Sequence, residues 1–220
     1  MTQSLAEPLA TETKTPTASV SPASIALWLA IQLTAIILIV VRARFWIGGG
    51  NDSVALELML IMQIAGAALL LPALLPNLRS MICIAVAAIP FLQIAAMIAA
   101  GDTKHALFGV LALMLWLIAL QLAMSLTRST LMRATVHAFA VCVSIGGVVL
   151  FYLRSEFFGV TYSPDAAWFG PICAALTLVR AESSWDQVLH AWIQLSLIAL
   201  VFCVIVVAKK VFLIASARRA

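Results

Sequence analysis

Charge is scarce in this chain: Asp, Glu, Lys and Arg together make up 10% of its 220 residues. A soluble globular domain carries about 25%, so a fold whose surface is clothed against water is excluded. The thirteen Lys and Arg, which leave a formal charge of +4, stand one or two at a time at the ends of apolar runs. They build no basic patch, and nucleic acid is not an expected partner. Cysteine is limited to Cys83, Cys142, Cys173 and Cys203, each inside an apolar stretch, without a CxxC pair or a His at ligand spacing. That excludes a zinc site or a disulfide framework and leaves them as small packing residues.

Motifs that carry chemistry are missing as well. The sequence holds no phosphate-binding Gly-Lys-Ser loop, no GxSxG elbow and no HExxH. Gly48-Gly49-Gly50 lacks the lysine and helix that a phosphate cradle needs and reads as a flexible outer loop. His105 and His190 start the fourth and sixth apolar runs at the outer face while His137 lies near the inner end of the fifth, so no pair stacks across a haem at one depth. No catalytic residue, cofactor site or metal site is expected, and a membrane enzyme is the weakest reading.

What the chain has is apolar length. Hydrophobic residues fill 64% of it and the mean hydropathy is +1.12. A crossing takes about 20 apolar residues for a hydrocarbon core of about 30 Å. Six runs qualify, at 25–41, 54–76, 80–100, 105–126, 134–153 and 188–208. The expected fold is an all-α integral membrane protein of six transmembrane helices, a domain over 22–213. A leader rich in Thr, Ser, Ala and Pro over 1–21 lacks the apolar content to fold alone, and a basic tail follows over 214–220. The leader has no positive n-region, so the first run is expected to stay as a span and not to be cleaved as a signal peptide.

Orientation follows from the basic residues. Six crossings put Lys14, Arg79, Arg128, Arg133, Lys209, Lys210, Arg218 and Arg219 on one side and Arg42, Arg44, Lys104, Arg154 and Arg180 on the other. The second side also collects Asp52, Asp102, Glu156, Asp165, Glu182 and Asp186. The positive-inside rule then predicts both termini in the cytoplasm, in a cell membrane such as the bacterial inner membrane.

The connection after the fifth run contains a fourteen-residue uncharged stretch, 166–179, too short to cross and interrupted at Gly170 and Pro171. Its length and break predict a re-entrant or interfacial helical element dipping in from the outer face. Trp168 stands near its start and Trp185 and Trp192 near the sixth run, as indoles do at a membrane interface. The alternative is an exposed loop.

Polar residues inside the runs are few. Glu57 lies about one turn inside the second, across a short loop from Arg42 and Arg44, and an outer-face ion pair among them is expected. An outward vestibule is the competing reading. Gln32, Gln63 and Gln93 fall midway along the first three runs, with Gln121 and Gln194 nearer helix ends. The three midway amides serve either as glue between helices or as the lining of a polar path. Pro72 and Pro76 close the second run and Pro90 bends the third. Ala95, Ala96, Ala99 and Ala100, with Ala140, Ser144, Gly146 and Gly147, permit close helix approach.

Six spans, cytoplasmic ends and the element Trp168-Phe169-Gly170-Pro171-Ile172-Cys173-Ala174-Ala175-Leu176 before the last span resemble the type-2 permeases of ABC transporters. The resemblance is architectural and covers most of the chain. It implies a membrane half that pairs with a separate ATPase subunit or a second permease subunit in an oligomer. In such permeases the ATPase docks before the first span and between the second and third, a link that here is only Asn77 to Ser80. An accessory subunit packed on a fuller permease accommodates that departure. The alternative function is a non-transporting scaffold or assembly subunit of a membrane complex.

Overall fold

A computed structural model describes residues 22–45, 54–70, 78–99, 103–127, 129–158, 170–180 and 183–217, excepting the side chains at 43–45, 78, 151–152, 154–158 and 213–217. Among the described residues there is no strand. The helices are α1 Pro22–Phe45, α2 Val54–Leu69, α3 Leu78–Ile98, α4 Thr103–Leu126, α5 Thr130–Phe158, α6 Pro171–Val179 and α7 Trp185–Ala217.

Five of them, α1, α3, α4, α5 and α7, are long and apolar enough to cross a membrane. These are all-helical, multi-pass characteristics. The 16 residues of α2 rise about 24 Å, less than a hydrocarbon core. The second apolar run was expected to extend to 76, but its described helix stops at Leu69, and 71–77 lie outside the described residues. The leader over 1–21 also lies outside them, while 214–217, expected to open a basic tail, form the last turn of α7.

Helices apolar around their whole circumference need an apolar solvent as well as an apolar core. On α1 the buried residues Trp28, Gln32, Ala35 and Ile39 form one narrow stripe, while Leu33, Ile37 and Val40 face outward. On α7, Leu197, Val201 and Val204 are likewise exposed. The interior is lined by small residues that let backbones approach, including Ala88, Ala95, Ala112 and Ala119.

Two contacts fix the ends of the bundle. His137 Nε2 lies 2.9 Å from the Leu69 carbonyl, which brings the last turn of α2 to the first turns of α5. Lys209 Nζ donates to the Leu126 carbonyl at 2.7 Å, which brings the end of α4 to the later part of α7. Both satisfy carbonyls that a helix C-terminus leaves without an intrahelical donor. Glu57, at the other end of α2, therefore belongs to the opposite face from Lys209.

Candidate functional site

The short helix α6 is the most enclosed element. All nine residues from Pro171 to Val179 are buried, and they pack on α7, α4, α2 and α5. Its start is set by two residue types. Pro171 occupies the first helical position, where a missing N–H costs nothing and φ is already helical. Gly170 precedes it with φ of 148°, a backbone region that side-chain-bearing residues rarely adopt. A Cβ on Gly170 would stand 2.9 Å from the Val143 carbonyl oxygen and 3.6 Å from Gly147 Cα. Gly170 is thus required twice, for its torsion and for the contact with α5. The pair was expected to interrupt the stretch 166–179. It begins a single helix, and 166–169 lie outside the described residues.

The position of Gly170 along α5 matters. Val143 lies 13 residues after Thr130 and 15 before Phe158, about 20 Å from either end of α5. Past the nine residues of α6, a rise of about 13 Å, the chain reaches Arg180, whose backbone N–H closes the helix on the Leu176 carbonyl at 3.1 Å. There the guanidinium grips Glu57 in the first turn of α2: Nε to Oε1 at 2.9 Å and a terminal nitrogen to Oε2 at 3.0 Å. The Glu57 side chain is 12% exposed and that of Arg180 31%. Such a fork satisfies both carboxylate oxygens in a fixed plane, a geometry lysine does not provide. Glu57 thereby has a partner that the expected pairing with Arg42 and Arg44 did not include. Arg42 is exposed near the end of α1, and the Arg44 side chain lies outside the described residues.

The midway glutamines divide. Gln32 and Gln63 are both 0% exposed, and Gln63 Nε2 donates to Gln32 Oε1 at 2.9 Å and to the Ala88 carbonyl at 3.3 Å. One amide thus ties α2 to both α1 and α3. Gln63 Oε1, Gln32 Nε2 and the nearby Trp28 Nε1 are buried without a protein partner. Gln93 is half-buried and does not join them, because five residues beyond Ala88 place it about 140° around α3. Close to the pair, Gly66 lets Trp28 and Ile31 of α1 approach, with both side chains 3.3 Å from where a Cβ would be.

Sequence reading missed Arg180 as a functional partner, and a signal existed: it is the first charge after the uncharged stretch 166–179. It also missed His137 as a cap for α2. Chemically the arrangement can pin helices. Comparisons with protein-family models, with curated proteins and with solved structures find no match to this chain.

Proposed function

We propose that this chain is a non-transporting scaffold or assembly subunit of a membrane complex, with six spans, both termini cytoplasmic and α6 as a re-entrant element. The observation that carries the scaffold reading is the fate of the midway glutamines. A polar pathway needs amides that face a common opening, whereas Gln32 and Gln63 are sealed against each other and Gln93 turns away. Their use as interhelical glue is the ordinary one in membranes.

The re-entrant reading rests on depth. The chain leaves α5 at Phe158, begins α6 beside the middle of α5 at Val143, and comes out at the Glu57 end of the bundle. The sixth span in this reading is α2.

Purification of the tagged full chain from its native membrane in mild detergent tests the function. Stable retention of one or more membrane subunits, whose level in the membrane falls when this chain is deleted, is the expected result. Recovery of the chain by itself, with all membrane complexes intact after deletion, contradicts it. A second reading, a permease half of an ABC-type transporter, is favoured by the position of α6 immediately before the last span. It requires that an ATPase subunit copurify and that Glu57→Gln abolish transport while the complex remains assembled.

A further inference from the structure

Between α4, α5 and α7, in the half of the molecule that carries Lys209, lies an open groove of about 710 Å³. It exists because α5 packs chiefly on α2 and α6 and touches α4 only lightly. Its lining includes Ala119, Ala123 and Ala140, which leave room, and Trp116, Phe139 and Phe202, which bound it. The two hydroxyls in the lining, of Thr127 and Thr135, are spent on the Met124 and Leu131 carbonyls at 2.6 and 3.0 Å. The cleft therefore offers carbon to its occupant along its whole length.

We propose that this groove is a specific site for an anionic phospholipid, with an acyl chain between the three helices and the headgroup phosphate at Lys209 and Arg133. Three observations select that occupant. Along α4 the lining runs from Thr127 to Trp116, eleven residues or about 16 Å, which is one leaflet of a hydrocarbon core of about 30 Å. A docked transmembrane helix would continue through the other leaflet, where the groove does not. Its outer end is cationic: Lys209 Nζ sits on the carbonyl of the lining residue Leu126, Lys210 follows it, and the exposed Arg133 adjoins the lining residue Met132. That end has no counter-charge in its own helices, for no Asp or Glu occurs between Asp102 and Glu156 or after Asp186. Basic pockets between helices at one membrane face are the usual setting for anionic headgroups. The site is independent of the scaffold reading.

The test uses the full chain in detergent, incubated with vesicles containing equal phosphatidylglycerol and phosphatidylcholine of the same acyl chains, then analysed by native mass spectrometry. Wild type retains phosphatidylglycerol in preference. Arg133→Gln lowers that preference about fivefold, Arg133→Gln with Lys209→Gln lowers it further, and Ala123→Phe, which fills the groove, abolishes lipid retention. Lys104→Gln at the opposite end leaves it unchanged. Because Lys209 also holds the end of α4, the Arg133→Gln and Ala123→Phe variants decide the matter in samples that stay monodisperse. Equal retention of the two lipids by wild type, retention unaltered by both variants, or a groove filled by a protein chain overturns the proposal.

Discussion

Among single residues, the Glu57–Arg180 pair has the largest stake. Two partly buried charges joined by two hydrogen bonds gain little over a well-packed apolar pair, but removal of one strips the other of this two-point contact in a poor solvent for ions. Arg180→Leu is expected to destabilise the folded protein by about 2–4 kcal/mol. The double variant Glu57→Leu with Arg180→Leu should recover most of that loss, since it removes both charges of the fork together. Reversible unfolding in mixed micelles measures both, and equal loss in single and double variants would show that the pair is incidental. The glutamines are a smaller matter. Gln63→Leu costs about 1 kcal/mol, and adding Gln32→Leu should cost little more because the two amides share one bond; additive losses would indicate separate partners. The ion pair was not legible beforehand, and for the glutamines only the general possibility of interhelical glue was. The Arg180 and Glu57 carbons lie 123 positions apart in sequence, and hydropathy reports how deep a residue sits without reporting which way around its helix it points. Gln32, Gln63 and Gln93 all fall midway along their apolar runs, and only two of them share a direction.

At the scale of elements, α6 depends on a glycine that no other residue replaces. Gly170→Ala combines a positive φ with a Cβ 2.9 Å from a backbone oxygen that cannot swing aside, and it should cost about 1–3 kcal/mol. Gly109 on α4 provides the comparison. A Cβ there meets Val179 Cγ1 of α6 at 3.4 Å, an ordinary contact with a side chain, so Gly109→Ala is expected to be near neutral. Thermal stability of the two variants side by side separates a required glycine from a convenient one; equal stability would remove the reason given for Gly170. The helices themselves were largely readable, because each long apolar run forced a helix. Their ends were not. The run at 134–153 became α5 over Thr130–Phe158 and that at 188–208 became α7 over Trp185–Ala217. Helical hydrogen bonding continues into polar residues beyond the hydrocarbon, where hydropathy falls silent. The Gly-Pro pair was read as a break, and among the described residues it is the start of a helix.

For the whole molecule, the bundle is a set of lipid-facing helices gathered on one short enclosed helix. Its closure at the Glu57 end and its apolar groove at the Lys209 end follow from the same arrangement: α5 leans toward α2 and α6 and away from α4. Whether α6 turns back or crosses decides the topology of everything after it. The most direct measurement is the labelling of single cysteines by a membrane-impermeant thiol reagent, in a background with the four native cysteines replaced by Ala. A re-entrant α6 predicts that Ser155→Cys and Ser183→Cys are reached from the same, external face and Ser129→Cys only from the cytoplasmic face. Labelling of Ser183→Cys from the face that exposes Ser129→Cys would make 159–183 a crossing and contradict the re-entrant fold.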